Sequence, residues 1–220
     1  MILIFGGFML DLEVKIYEMK SNLMSKNIKY IRKCNYKTIP IKEEYRYNED
    51  VVKIYNYYVK LINKLKKYIK DSNYIDFYTK YDKFNNLVCL VTKFYINEID
   101  INIPIDIRVI IGDKNDTYIR GSYYEGKCGI LYLEEFSSGS RRNGYGAMLL
   151  ENLNYIVDNI NNKLSIHNKC NKSYNFKLIK LLKGRAIPFK SVISQEDLNR
   201  LYLKYGFKVD EDKYLIKNRE

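Results

Sequence analysis

The residues best suited to chemistry form a short loop, Arg141-Arg142-Asn143-Gly144-Tyr145-Gly146, between a predicted strand and a predicted amphipathic helix. Glycine at positions 144 and 146 lets the backbone approach a ligand without a clash from a Cβ atom. The first turn of the following helix directs unpaired amides and the positive end of its dipole at the loop. With the two arginine side chains, these groups favour a pyrophosphate ligand.

The loop does not fit the common nucleotide-binding motifs. The pattern G-x-G-x-x-G fails because position 149 is Leu, and the Lys and Ser/Thr of a P-loop are absent. The pattern that does fit is R-x-x-G-x-G after a strand. A second motif near the C-terminus reads Leu201-Tyr202-Leu203-Lys204-Tyr205-Gly206-Phe207.

These two motifs, in this order, resemble those of the GNAT superfamily of acyl-CoA N-acyltransferases. The resemblance covers residues 88–217, in which GYGAMLL is similar to the cofactor loop and helix start, and LYLKYGF to the last helix-to-strand turn. It implies an α/β fold of the α+β type, with a mixed, mostly antiparallel central sheet flanked by helices. Two central strands, predicted at 127–136 and 163–168, are expected to separate and admit the pantetheine arm of acetyl-CoA.

The resemblance also implies which residues bind the cofactor. The amides of residues 142–147 are expected to hold the pyrophosphate, while Phe136 and Glu134 present backbone groups to the pantetheine and the thioester. The position seven residues before Tyr202, often Asn in the family, is Gln195 here. The expected cofactor-binding residues are Phe136, Ser137, Arg141, Arg142, Asn143, Gly144, Tyr145, Gly146, Ala147, Asn168 and Tyr205.

Acylation of an amine needs a base and an acid. A lysine-type amine has a pKa of about 10.4 and must lose a proton before it attacks a thioester. Glu134 and Glu135 lie in the otherwise apolar segment LYLEEF, and since strand neighbours point to opposite faces, only one is expected to face the cleft. The resemblance gives Tyr202 the role of protonating the departing thiolate, with Tyr205 as the alternative. The single histidine, His167, is expected to be a packed or partly exposed residue.

Hydrophobic periodicity predicts the elements that position these residues. Apolar residues at helical spacing predict a helix within 44–71, with lysines on its other face. A period of two then predicts an antiparallel meander, with strands at 87–96, 99–111, 117–124 and 127–136. The opening segment, MILIFGGFML, is interpreted as a buried strand.

The C-terminal half is predicted to alternate helices and strands. A helix at 146–160 precedes the short strand at 163–168, and the strands flanking that helix are expected to run parallel. Ser194 is predicted to cap a last helix, because Asp197 stands three residues later. One or two strands are predicted within 208–218.

We therefore predict two regions: an N-terminal strand and helical extension at 1–82, and a GNAT-like domain at 83–220 with a basic insertion at 169–190. The 38 basic and 26 acidic residues give a net charge of +12, which favours polyanionic partners. Four scattered cysteines and one histidine predict no metal site. Without a signal segment or a membrane-length apolar run, the chain is expected to be cytoplasmic and not membrane-bound.

The resulting hypothesis is an N-acetyltransferase that transfers an acetyl group from acetyl-CoA to a primary amine, with a protein or other macromolecule as the favoured acceptor. Three alternatives stay open at this point: a small-molecule amine acetyltransferase, a toxin that acetylates aminoacyl-tRNA, and a non-catalytic CoA-binding module. The sequence leaves the acyl chain length and the oligomeric state open, a homodimer included.

Overall fold

The computed structural model describes residues 2–41, 48–70, 74–96, 102–139, 143–171, 174–188 and 193–219, with residues 2–10 and 74 described by their backbone alone. Within these residues the chain forms five helices and eight strands. The helices are α1 (Ile2–Met24), α2 (Ile28–Lys33), α3 (Glu49–Tyr68), α4 (Tyr145–Cys170) and α5 (Gln195–Lys204). The strands are β1 (Tyr74–Tyr81), β2 (Leu87–Phe94), β3 (Ile103–Ile110), β4 (Thr117–Glu125), β5 (Gly129–Ser137), β6 (Ile179–Arg185), β7 (Lys208–Val209) and β8 (Tyr214–Asn218).

The eight strands form one mixed sheet in the order β1-β2-β3-β4-β5-β6-β8-β7. Strand β4 pairs with β5, β6 with β8, and β7 with β8 in antiparallel fashion, whereas β5 and β6 run parallel. A parallel pair needs a crossover connection, which α4 supplies here. The predicted fold class, a mixed and mostly antiparallel sheet with flanking helices, is confirmed.

Most of the predicted elements are present. Helix α3, the meander β2 to β5 and the terminal strands β7 and β8 lie where the apolar periods place them. Helix α5 begins as predicted, because Ser194 Oγ accepts a hydrogen bond from the amide of Asp197 and donates one to its carboxylate.

Two local predictions are wrong. The opening segment is the start of α1, not a strand, and Leu12, Met19 and Leu23 continue it as a buried stripe at helical spacing. Residues 163–168 belong to α4, not to a strand, because the buried stripe continues from Ile160 to Leu164 on the same helix face. The strand parallel to β5 lies later in the chain, within the predicted basic insertion.

The chain divides into two compact units. The first comprises Met1–Asp71, Phe77–Val91 and Val109–Asp116, and it contains α1, α2 and α3. The second comprises Ser72–Asp76, Thr92–Arg108 and Thr117–Glu220, and it contains α4, α5 and β4 to β8. The boundary predicted after residue 82 stays a prediction.

Hydrogen bonds from side chains fix the connections inside the second unit. Asn168, in the last turn of α4, pairs with the backbone of Phe176 through both its amide nitrogen and its oxygen. Asn161 holds the backbone of Ile179 in the same manner, at the first residue of β6. The segment between α4 and β6 is therefore attached to the helix by two asparagine side chains, each of which makes two hydrogen bonds to the backbone. These contacts place β6 beside β5.

Candidate functional site

The central feature of the second unit is the place where the parallel strands β5 and β6 stop pairing. Their register runs from Gly129 opposite Ile179 to Leu133 opposite Gly184. Beyond that pair β5 continues for four residues to Ser137, whereas β6 ends at Arg185. On the side toward β6, the backbone of residues 134–137 therefore has no strand partner within the described chain. Such a strand edge offers backbone donors and acceptors to an extended ligand that carries amide groups.

A β-bulge changes the direction of the two glutamates in this stretch. Arg120 of β4 lies opposite Glu135 and Gly121 lies opposite Leu133, so Glu134 is an extra residue in β5. Glu134 Oε1 accepts a hydrogen bond of 2.6 Å from Ser122 Oγ. Glu135 accepts hydrogen bonds from Tyr118 and Arg120.

Both carboxylates consequently reach the same face of β4. Residues 118, 120 and 122 alternate along that strand and share one face, and each of them contacts one of the two glutamates. The prediction that only one of Glu134 and Glu135 faces the cleft rested on strict alternation of side chains along β5, and that alternation fails here. The prediction assumed an unbroken strand, and the bulge removes the alternation at this point.

The two glutamates differ in their surroundings. Glu135 is half-exposed and pairs with the Arg120 guanidinium at 3.1 Å, while the Tyr118 hydroxyl donates to it at 2.6 Å. Glu134 has no cationic partner within the described residues, and its one hydrogen bond there comes from a hydroxyl. A carboxylate that accepts a single hydrogen bond keeps lone pairs available for a proton. Of the two predicted catalytic acids, Glu134 is the one with free capacity to act as a base.

Glu134 lies in a groove of about 280 Å³ on this face of the second unit. Lys93 and Arg120 contribute positive charge to the walls, and Asp106 is occupied by a two-pronged contact with Arg108. The apolar part of the groove consists of Phe94, Tyr95, Pro104 and Ile105. The groove can therefore accommodate the aliphatic stem of an amine and bring its head to Glu134.

Phe136 occupies the opposite face of β5. It pairs with Ile119, between the β4 residues that contact the glutamates, and its ring lies 6.3 Å from the ring of Tyr202. A Cβ atom on Gly146 would lie 3.0 Å from Phe136 Cζ, so the start of α4 contacts the same ring. Phe136, Gly146 and Tyr202, three of the predicted site residues, are thus brought together.

The Tyr202 side chain is 5% exposed and packs between the rings of Phe136 and Phe207. Burial raises the pKa of its phenol to about 12. The phenol is therefore fully protonated at neutral pH and can donate a proton. Helix α5 is held beside the end of β6, because Gln195 Nε2 donates to the carbonyl of Ala186 at 2.8 Å.

The predicted phosphate loop leads into α4 through Gly144. Gly144 is the N-cap of α4 with φ of 81°, in the left-handed region, and no side chain of the described residues caps the helix there. Its αL conformation favours glycine, and nothing lies within 4 Å of the position that a Cβ atom would take. The first-turn amides of a helix have no intrahelical acceptor, and they favour an anion at this end of α4. Arg141 and Arg142 lie outside the described residues.

The remaining residues predicted to bind the cofactor lie around the start of α4, at the end of β5 and after α5. Asn143 and Ala147 lie partly exposed around the start of α4, Tyr145 is buried, and Ser137 ends β5 opposite Tyr118. The Tyr205 hydroxyl donates a hydrogen bond to Glu151 at 3.3 Å, and the backbone carbonyl of Tyr205 accepts one from Lys217 Nζ.

Asn168 was expected at the end of a strand, and this is wrong, because the residue lies in α4. Its side-chain amide makes two hydrogen bonds to the backbone of Phe176. His167, in the same turn, packs its ring 5.4 Å from that of Phe176, as expected for a packed residue.

Two residues that the sequence reasoning passed over belong to the site. Ser122 holds Glu134, and Arg120 neutralises Glu135. Both lie on β4 at alternating positions, so the period-two pattern of that strand indicated their shared face. Nothing in the sequence indicated which of them faced which glutamate, since that depends on the bulge.

Comparison with known proteins assigns the chain to no family. No protein-family model matches the chain, and no curated protein is similar to it in sequence. Over the described ranges, none of the helices is long and apolar enough to cross a membrane. The same residues contain no group of three or more His, Cys, Asp or Glu side chains able to hold a metal ion.

Proposed function

We propose that the protein is an acetyl-CoA-dependent N-acetyltransferase. The observation that carries the proposal is the end of pairing between β5 and β6 after Leu133 and Gly184, with Glu134 on one face of the open stretch and Tyr202 on the other. Reaction at a thioester placed in that opening needs a base on the acceptor side and an acid on the thiol side. In the proposal, Glu134 is the base and Tyr202 is the acid.

The residues around the opening fit acetyl-CoA. The backbone of residues 134–137, which pairs with no described strand on the β6 side, suits the amides of a pantetheine arm, and the first-turn amides of α4 suit a pyrophosphate. When bound, acetyl-CoA supplies an activated acetyl thioester. The described residues leave an uncapped helix N-terminus and an unpaired strand edge in the same unit, which supports a ligand carrying both groups.

In the proposed reaction, Glu134 accepts a proton from the ammonium group of the acceptor, so that the neutral nitrogen can attack the acetyl carbon. Ser122 fixes the carboxylate for this transfer through its hydrogen bond. As the carbon–sulfur bond breaks and the amide forms, Tyr202 donates its phenolic proton to the departing sulfur, and the second proton that the nitrogen loses returns to the Tyr202 phenolate through water. Glu134 then releases its proton to solvent, so both residues regain their starting forms. A backbone amide of the open β5 stretch stabilises the negative charge that develops on the carbonyl oxygen.

The acceptor is proposed to be an amine on a protein or a tRNA. This choice rests on the net charge of +12, which attracts polyanions and acidic surfaces, and on the first unit, which the chemistry does not use. A small-molecule amine is the second candidate, because the groove beside Glu134 has a volume of about 280 Å³ and part of its wall is apolar. Thiol release measured with polyamines and aminoglycosides, beside proteins and tRNA, separates the two classes.

Calorimetric titration with acetyl-CoA tests the cofactor site. Wild type is expected to bind, whereas Gly144→Glu, which places bulk and negative charge at the helix start, is expected to lose binding at least tenfold. Gly144→Asn is the matched control, since Asn tolerates the left-handed conformation and carries no charge. Absence of binding by folded wild type would overturn the proposal. Binding without thiol release for any amine would leave a CoA-binding module in its place.

A further inference from the structure

The first unit contains a larger cavity that the proposed reaction does not use. It has a volume of about 630 Å³, within the range of small-molecule sites, and all its lining residues belong to this unit. Helix α3 supplies much of the lining through Lys53, Ile54, Asn56, Tyr57, Tyr58 and Lys60. The other walls come from α1, from Ile41 and from the turn after β1.

Specific hydrogen bonds hold the walls in place. The Asn56 amide pairs with the Ile39 backbone in both directions, at 2.6 and 2.8 Å, which fixes the chain leading to Ile41. Asp82 accepts from the amides of Phe84 and Asn86, which fixes the turn that presents Asn85. A site whose walls are held in this way loses little entropy on binding.

The floor of the cavity is apolar and aromatic. The Tyr57 hydroxyl donates a hydrogen bond of 2.9 Å to the Leu87 carbonyl. Because the hydroxyl is engaged there, the tyrosine presents its ring to the cavity as apolar surface. Tyr57 and Tyr58 stand edge to face, with ring centroids 5.7 Å apart. Ile54 and Ile41 line the same space although they are 47% and 46% exposed. Exposed apolar side chains grouped in one concave surface favour a ligand with an apolar body.

The rim is positively charged. Lys20, Lys53 and Lys60 line the cavity, against Asp113 as the acidic residue of the lining. Lys53 pairs with Glu49 at 3.1 Å, and Lys20 lies over the Tyr81 ring. Lys60 has no ion pair or hydrogen bond to any described residue. An anionic group at the rim would therefore meet two ammonium groups that no carboxylate of the described chain neutralises.

We propose that this cavity binds a nucleoside phosphate. The aromatic and apolar floor suits a flat base, and Lys20 and Lys60 suit the phosphate. The Asn85 amide and the carbonyl oxygen of the Asn86 side chain offer a donor and acceptors to the polar edge of the base, while Asn86 Nδ2 also donates to Asp82. A purely apolar ligand would leave the lysines and amides unused, and a bare anion would leave the floor exposed. The site is separate from the opening between β5 and β6, so the inference does not depend on the acetyltransferase proposal.

The test is calorimetric titration of the full-length protein at low ionic strength with ATP and AMP, beside adenosine and inorganic phosphate. Saturable binding of a nucleotide is expected, with adenosine and phosphate each at least tenfold weaker because each satisfies half of the site. Absence of nucleotide binding up to millimolar concentration would overturn the proposal. Equal binding of inorganic phosphate and nucleotide would do so too, because the aromatic floor would then contribute nothing.

Variants locate the binding. Lys60→Ala is expected to weaken nucleotide binding about fivefold, and Ile54→Asp to weaken it more, by placing a charge in the apolar floor. Lys67→Ala removes the same charge from an exposed position of α3 outside the cavity and should leave the affinity unchanged. Equal losses of nucleotide affinity in the Lys60 and Lys67 variants would show that the binding depends on net charge and not on this cavity. Loss in Gly144→Glu with retention in Lys60→Ala would assign the nucleotide to the start of α4 instead.

Discussion

Glu134 accepts a 2.6 Å hydrogen bond from Ser122 at the point where the register between β4 and β5 shifts by one residue. The shift turns Glu134 and its neighbour Glu135 to the same sheet face, and among the described residues only Glu135 of the two forms an ion pair, with Arg120. Two adjacent carboxylates on one face thus differ in their capacity to accept a proton from an acceptor amine. The difference provides an internal control for the proposed chemistry.

Replacement of Glu134 by Gln is expected to lower kcat by about 100-fold, because the amide keeps the shape but cannot take a proton. Glu135→Gln is the matched control, and it should change kcat less than threefold while loosening the Arg120 contact. The measurement is thiol release under saturating acetyl-CoA. Equal losses in the two variants would contradict the assignment of the base to Glu134.

Replacement of Tyr202 by Phe is expected to lower turnover by about 10-fold to 1000-fold with little change in acetyl-CoA affinity. The ring packing against Phe136 and Phe207 is retained, so the melting temperature should stay close to that of wild type. Tyr205→Phe, which removes the hydroxyl that contacts Glu151, serves as the control. Unchanged turnover in Tyr202→Phe would return this residue to a packing role.

The sequence predicted the elements with regular periods and missed the features that depend on tertiary pairing. Helix α3 and the meander follow directly from their spacing, and the cap of α5 follows from Ser194 and Asp197. The partner of β5 was misplaced because a short apolar run at 163–168 fits a strand and a helix end equally well. The bulge at Glu134 has no local signal, since it arises from the register with β4.

The left-handed conformation of Gly144 predicts a defined cost for any Cβ atom there. Gly144→Ala should destabilise the fold by about 1 kcal/mol, because the strain is conformational and no atom within 4 Å blocks the methyl group. Gly144→Asn should cost less. Chemical denaturation of the three proteins gives the comparison, and a midpoint for Gly144→Ala equal to that of wild type would contradict the described backbone.

Reactivity of the four cysteines should follow their burial. Cys170 is exposed and Cys128 partly exposed, while Cys34 and Cys89 are buried and burial raises the pKa of both thiols, that of Cys89 to about 12. Since the thiolate is the reactive form, the native protein should take up two alkyl groups quickly and four only in denaturant. Mass spectrometry counts and locates them. Rapid modification of Cys89 in the native protein would contradict the described core.

Stability is expected to fall as pH rises above about 10. Burial raises the pKa of Tyr58, Tyr123 and Tyr202, the last to about 12, whereas an unfolded chain loses these protons at about pH 10. The folded state therefore retains protons that the unfolded state releases, so the stabilisation is complete below about pH 10, and the part from Tyr202 is lost as pH rises through about 12. Denaturation midpoints across this range measure the decline, which Tyr202→Phe should make shallower. Titration of these tyrosines at about pH 10 in a chain that stays folded would contradict their burial.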